Sequence, residues 1–206
     1  SIEDLTAIVA LYRPGPMDSI PRFIECRHDK SKIKYDLPEL EPILRSTYGC
    51  TVYQEQVMSI FRTVAGYTYG HADIVRRAMS KKKASVLESE RESFIEGAKN
   101  NGIDAEKAEK LFDDMASFAN YAFNKAHAAA YSVISYRSAY LKAHYTGEYM
   151  AALLTSVLGN QTKVAEYITE CSKFGISVLP PDINSSRVNF SADDQDGNIR
   201  YGLLAL

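Results

Sequence analysis

The sequence has 206 residues, a length that suits one large domain or a domain with a smaller appendage. With 46% hydrophobic and 24% charged residues it can bury a sizeable core. Its formal net charge of -2 excludes a polycation, so any nucleic-acid role must rest on local basic patches.

Residues 1–11 place Ile2, Leu5, Ile8 and Val9 at helical spacing. Arg13-Pro14-Gly15-Pro16 then breaks the chain, because two prolines lack amide donors and glycine supplies turn freedom. A short helix is predicted over 20–26, and the charged, proline-containing stretch 29–41 reads as a loop. Residues 52–65 form a strong helical pattern with Tyr53, Val57, Ile60, Phe61 and Val64 on one face, and Gly66 stands at the C-cap. Helices are also predicted over 70–79 and over 86–99, the latter with Leu87, Phe94, Ile95 and Ala98 on one stripe and Asn100-Asn101-Gly102 as its stop. Asp104 is a good N-cap for a helix turning Ala108, Leu111, Phe112, Met115 and Phe118 inward. Residues 126–145 are rich in alanine and tyrosine, with Tyr131, Ile134 and Leu141 on a common face. Two more helices cover 150–158 and 164–174, ended by Gly175. Val178-Leu179-Pro180-Pro181 cannot continue a helix, and 188–206 reads as short strands about a turn at Asp196-Gly197. That stretch is too short to make a sheet by itself. The expected class is mainly α: many helices, then a short β-hairpin-like stretch.

Two constellations carry chemistry. Arg76-Arg77-Ala78-Met79-Ser80-Lys81-Lys82-Lys83 holds five cations and no acid. Guanidinium forks suit phosphate oxygens, and lysines add mobile charge. From this stretch alone, a solvated basic loop between two helices is the alternative. In Tyr121-Ala122-Phe123-Asn124-Lys125-Ala126-His127, Asn124 can cap the following helix, whose first turn offers free amides and a positive dipole end to an anion. Lys125 and His127 add donors there, and Tyr121 and Phe123 add flat faces on which a base or sugar can pack. A capped helix with buried aromatics is the alternative. Farther along the same helix, Arg137, Lys142 and His144 can line a nucleic-acid groove or simply face solvent.

The acids are less suggestive. Asp113-Asp114 diverge on a helix, and Asp193-Asp194-Gln195-Asp196-Gly197 reads as a turn without the ligand spacing of a calcium loop. There is no phosphate loop and no nucleophile elbow. The chain therefore reads as able to bind phosphates, with no visible group to activate an attacking oxygen and no metal site. Cys26, Cys50 and Cys171 are far apart without a Cys-x-x-Cys pair, so free thiols in a reducing cytoplasmic setting are expected. No apolar run approaches bilayer length, and no secretory leader pattern opens the chain. The start at Ser1 and the apolar end at Leu206 are expected for a segment of a longer chain.

Longer motifs point to a family. Ala10-Leu11-Tyr12-Arg13-Pro14-Gly15-Pro16-Met17, Thr47-Tyr48-Gly49 with Val52-Tyr53-Gln54-Glu55-Gln56-Val57-Met58, and Ala72-Asp73-Ile74-Val75-Arg76-Arg77-Ala78-Met79 resemble bacterial replicative polymerases of the C family, the DNA polymerase III alpha subunits. Phe123-Asn124-Lys125-Ala126-His127-Ala128-Ala129-Ala130-Tyr131, Leu141-Lys142-Ala143-His144-Tyr145 and Leu179-Pro180-Pro181-Asp182-Ile183-Asn184 continue in that family's order. Departures fall at Ser80, Ala122, Ala126 and Thr146-Gly147. At Ser80 and Ala122 a glycine would have permitted positive φ.

The resemblance implies a fingers domain over 1–145 and, over 146–206, the start of a helix-hairpin-helix-type segment. It implies that Arg76, Arg77, Lys81 and Lys82 hold the phosphates of an incoming deoxynucleoside triphosphate, with Asn124, Lys125 and His127 bordering its sugar and phosphate side. Arg13, Lys83, Arg137 and Lys142 are the candidate contacts to primer-template DNA. No catalytic residue is expected in this stretch, because the magnesium-binding aspartates lie in a palm upstream. The implied partners are DNA, nucleotide, other domains of the same polypeptide and, through regions outside this chain, replisome subunits such as the sliding clamp; a membrane is not among them. The rival readings are a stand-alone helical nucleic-acid-binding module and a structural or protein-interaction piece.

Overall fold

The computed structural model describes all residues except 82, 83, 120 and 193–195, and the side chains of Ala84 and Ser85 also lie outside the description. In chain order the helices are α1 (Ile2–Leu11), α2 (Ile20–His28), α3 (Glu41–Leu44), α4 (Gln54–Ala65), α5 (Tyr69–Ser80), α6 (Ala84–Asn100), α7 (Ala105–Phe118), α8 (Lys125–His144), α9 (Thr146–Ser156) and α10 (Gln161–Lys173). Strands β1 (Val178–Leu179), β2 (Ser191–Ala192) and β3 (Ile199–Arg200) follow. The class is mainly α, as the periodicities predict. The chain forms two compact units, Ser1–Val133 and Ile134–Leu206, divided within α8.

Local signals set the helix ends. Ser1, Thr68, Asp104 and Asn160 each accept a first-turn amide through a side-chain oxygen, satisfying donors that a helix start leaves unpaired. Gly66 closes α4 in the left-handed region at φ 73°, where a Cβ would clash with the following backbone. Ser80 sits inside α5, and Tyr48 is the one non-glycine residue at positive φ among those described, so neither Ser80 nor Ala122 needs a glycine's freedom.

The first unit is built around Phe61, Phe94 and Phe112, which pack pairwise at centroid distances of 5.1, 6.1 and 5.6 Å. Val57, Ile60, Val64, Val75 and Met79 surround them, all fully buried. Burying each such side chain stabilises by about 1.5–3 kcal/mol. These are the inward faces predicted for α4, α6 and α7. Residues 66–68 join α4 to α5, and the two helices pack together. A second cluster, with Leu11, Phe23, Cys50, Val52 and Tyr53, gathers α1 and α2 against the start of α4. Between the two lies the buried amide of Gln56. Its Oε1 accepts from the Val52 and Tyr53 amides (2.8 and 2.9 Å), and its Nε2 donates to Thr47 Oγ1 (2.7 Å).

Three sequence readings change. The stretch 29–41 holds 3-10 turns at Lys30–Lys32 and Pro38–Leu40, and Leu37 and Leu40 are buried. On α1 the buried face is Thr6, Ala7, Ala10 and Leu11, while Ile2 and Ile8 are exposed. On α8 the small Ala128 and Ser132 are buried, whereas Tyr131, Ile134 and Leu141 stand in solvent. In both helices the side that packs is the one where small side chains let the backbone approach closely.

In the second unit, Met150, Leu154, Val164, Cys171, Phe190 and Ile199 form the core between α9, α10 and a small sheet. The sheet order is β1-β3-β2, with β1 parallel and β2 antiparallel to β3. The predicted turn is seen at Gly197, with φ 71°, but the sheet gains a third strand from Val178 and Leu179, which the proline pair had marked only as a helix stop. Residues 193–195 of the acidic turn lie outside the described residues. Cys26, Cys50 and Cys171 are buried free thiols.

Gly97 of α6 lies against the carbonyl of Ala65, and a Cβ there would collide with that backbone oxygen. Helix propensity alone would make Gly97→Ala stabilising by about 1 kcal/mol. The clash reverses the sign, and a loss of about 1–3 kcal/mol is expected. Urea denaturation of the variant checks this, and a raised midpoint would refute the close approach.

Candidate functional site

On α5, Asp73 stands three and four residues before Arg76 and Arg77, on the same helical face. Arg76 donates from Nε and Nη2 to Asp73 Oδ1 at 3.1 and 2.6 Å, and its side chain is 13% exposed. Arg77 lies 2.8 Å from Oδ2 through Nε and is 67% exposed. One carboxylate thus orients two guanidiniums, and the Arg76 hydrogen bond, above all, holds the Asp73 carboxyl below its ordinary range. Lys81 follows at the exposed C-cap of α5, its amide donating to the Arg77 carbonyl. Lys82 and Lys83 lie outside the described residues.

The start of α8 is built by a long-range pairing. Phe123 donates its amide to the Val52 carbonyl (3.1 Å) and accepts from the Gln54 amide (2.9 Å), a parallel bridge between Tyr53 and Phe123. Gln54 Nε2 also donates to the Ala122 carbonyl at 3.1 Å. Asn124 caps the helix as predicted, its Oδ1 accepting from the His127 amide at 2.8 Å. The Lys125 amide, expected to await an anion, donates instead to both carboxylate oxygens of Glu55 (3.1 and 3.0 Å). The Lys125 ammonium lies 5.4 Å from the Tyr53 ring centre, and His127 sits between Phe123 and Tyr131, at 5.5 and 4.8 Å. Burial pushes the Tyr53 hydroxyl above its ordinary value.

Arg76, Arg77 and Lys81 stand at the end of α5, and Asn124, Lys125 and His127 at the start of α8, beside the start of α4. No hydrogen bond or ion pair joins the two groups among the described residues. Neither group lines the cavity of about 350 Å³ bordered by Arg22, Lys34, Asp36, Cys50, Asp114 and Met115. Arg13 is half-buried. Its Nε donates to the Ala10 carbonyl at 2.9 Å, its Nη2 donates to the Tyr121 carbonyl, and its guanidinium lies 4.8 Å from the Phe123 ring centre.

In the second unit, Arg137 is exposed beside Tyr136, Tyr140 and Leu141, and Lys142 lies 3.8 Å from Glu170 and over the Phe174 ring at 4.9 Å. His144 packs on Tyr140 at 4.2 Å.

Comparison with known proteins places these features. Residues 1–102 match the bacterial DNA polymerase III alpha subunit finger domain. DNA polymerase III subunit alpha of Thermus aquaticus is 49% identical over 210 residues, spanning the whole of this chain. The chain belongs to the DNA polymerase III alpha subunit finger-domain family. The same subunit from Staphylococcus aureus strains N315 and MRSA252 is 52% identical over 184 residues, or 89% of this chain. The chain spans 17% of the length of each of these relatives. Arg13, Arg76, Arg77 and Lys81 fall within the finger match, while Asn124, Lys125, His127, Arg137 and Lys142 fall in the stretch shared with the Thermus protein.

Among the described residues no three His, Cys, Asp or Glu side chains are grouped to hold a metal ion. Asp113 is taken by Arg91 at 3.0 Å, and the neighbouring Asp114 borders the cavity instead. No described helix is long and apolar enough to cross a membrane.

Two residues of this region escaped the sequence reading. Asp73 was legible, since its spacing to Arg76 and Arg77 is that of helical ion pairs. Glu55 was not, because its partner Lys125 is 70 residues away.

The depressed Asp73 carboxyl carries a pH consequence. A carboxyl lowered on folding stabilises fully above its unfolded value near 4 and loses that contribution as pH falls through the folded one. For a partly exposed pair the effect is about 0.5–1 kcal/mol. Asp73→Asn should cost that much at pH 7 and much less at pH 3, read from urea midpoints at both. An equal cost at both would break the assignment.

Proposed function

We propose that this chain is the fingers portion of a template-directed DNA polymerase and that it grips the triphosphate of the incoming deoxynucleotide. The reading is carried by the paired Arg76 and Arg77, oriented by Asp73 at the end of α5, in a chain of the DNA polymerase III alpha subunit finger-domain family. Arg76 and Arg77, already aimed by Asp73, present their remaining N–H groups to phosphate oxygens, and Lys81 adds charge beside them. Asn124, Lys125 and His127 border the sugar. Lys82 joins the phosphate grip on the strength of the resemblance.

In the reaction, a primer 3′ hydroxyl attacks the α-phosphate and pyrophosphate leaves. The chain's own share is orientation and charge neutralisation, from which much of phosphoryl-transfer catalysis derives. Magnesium belongs to a palm in the longer polypeptide. The fingers run over residues 1–145, from which Lys83, Arg137 and Lys142 meet primer-template DNA, and residues 146–206 open a helix-hairpin-helix-type segment. Sliding-clamp contacts lie in regions outside this chain. The setting is the bacterial cytoplasm.

Losing one charge-assisted phosphate contact costs about 1.5–3 kcal/mol, or roughly ten- to a hundredfold in efficiency. In the full-length polymerase, Arg76→Ala or Arg77→Ala should raise the nucleotide KM or lower turnover by that order. Steady-state kinetics with wild-type values in both variants would defeat the reading. The isolated chain is expected to extend no primer, and magnesium-dependent extension by it in a gel assay would contradict that expectation.

A further inference from the structure

We infer that Arg13 is a positioning residue for the nucleotide site: its half-buried guanidinium fixes the stretch 121–123, which delivers Asn124, Lys125 and His127. The inference rests on the proposed nucleotide reading and replaces the expectation that Arg13 contacts DNA.

Three contacts hold this side chain. Nε donates to the Ala10 carbonyl at the end of α1, Nη2 donates to the Tyr121 carbonyl, and the planar group covers the Phe123 ring. Partial burial lowers the guanidinium from its ordinary value. The backbone around it is stiff. Pro14 and Pro16 fix φ on either side of Gly15, and the Met17 amide returns to the Arg13 carbonyl at 3.3 Å. Gly15 adopts φ 100°, and the Tyr121 ring packs where a Cβ would stand. The turn after α1 is thus shaped to receive residue 121 on both its arginine and its glycine.

The other edge of the same stretch is already fixed. Gln54 Nε2 holds the Ala122 carbonyl, and the Phe123 backbone pairs with Val52 and Gln54. The segment is therefore pinned from two directions, by the start of α4 and by the turn after α1. Removing the guanidinium leaves the Tyr121 carbonyl without this donor and uncovers the Phe123 ring against which His127 packs. Lysine cannot replace it, because a single ammonium cannot lie flat on a ring while directing donors at two carbonyls.

The test uses the full-length polymerase with Arg13→Gln and Arg13→Lys. Both should raise the nucleotide KM about tenfold, the effect of losing one charged hydrogen bond, with primer-template Kd within about twofold of wild type. Hydrogen exchange at the Phe123 and His127 amides should quicken in both. A drop in DNA affinity with a salt slope shallower by about one, and an unchanged KM, makes Arg13 a DNA contact and overturns the inference. Wild-type KM in Arg13→Lys also overturns it, because charge alone would then suffice. Should Arg13→Gln fail to fold, Phe123→Leu removes the covered ring and should raise KM in the same direction by a smaller factor; an unchanged KM there counts against the inference. Arg77→Ala is the separate control. If it and Arg76→Ala both show wild-type kinetics the triphosphate reading itself fails, whereas an Arg77 effect without an Arg13 effect sinks only the positioning role.

Discussion

The site depends on two backbone hydrogen bonds that join segments 70 residues apart. Phe123 pairs with Val52 and Gln54, and this bridge sets the start of α8 beside the start of α4. The buried Gln56 makes it possible by accepting the Val52 and Tyr53 amides, which keeps Val52 and Tyr53 extended instead of helical. Its other end is tied to Thr47, whose hydroxyl in turn donates to the Cys50 carbonyl at 2.6 Å. A buried amide whose donors and acceptor are satisfied rigidifies what it touches, while an unmet one would cost about 1–3 kcal/mol. The position of Asn124 and Lys125 is therefore a property of the core, not of the loop that carries them.

The charges of the site come with acids built in. Asp73 holds Arg76 and Arg77, and Glu55 holds the Lys125 amide. Without these acids, concentrated like charge would repel itself and splay the side chains. With them, the guanidiniums are aimed before a ligand arrives, which reduces the ordering that binding must impose. Arg77 is largely exposed. Arg76 is nearly enclosed and stays oriented by Asp73. The two neighbouring arginines thus differ in exposure although the sequence presents them as twins.

Helix identity was legible because periodicity and capping are local. Gly66, Asp104 and Asn124 each act where their chemistry predicts, and the faces of α4, α6 and α7 turn inward as their spacing requires. What escaped depends on tertiary partners. On α1 and α8 the larger apolar side chains formed the more visible stripe, yet the chain packs through alanines, threonine and serine. The contrast of Arg13 with Arg77 is the same lesson in electrostatics. Both are arginines in motifs of the family, but only the fold shows that one is enclosed by carbonyls and a ring while the other faces solvent.

The turn that holds Arg13 is itself anchored through a strained residue. Tyr48 takes φ 53°, a left-handed conformation that costs a non-glycine residue about 1–2 kcal/mol. Its ring meets Phe23 edge-on at 5.2 Å, and its hydroxyl donates to Asp4 Oδ1 at 2.9 Å. Asp4 also accepts from Arg27 at 3.0 Å, and that guanidinium is the main reason its carboxyl stays far below the ordinary range. These contacts offset the strain and fix α1 against α2 and the loop before α4. Because α1 ends at Leu11, two residues before Arg13, its placement decides where the guanidinium can reach. A carboxylate on the first turn of α1 thus helps seat the helix from whose end Arg13 reaches the Tyr121 carbonyl.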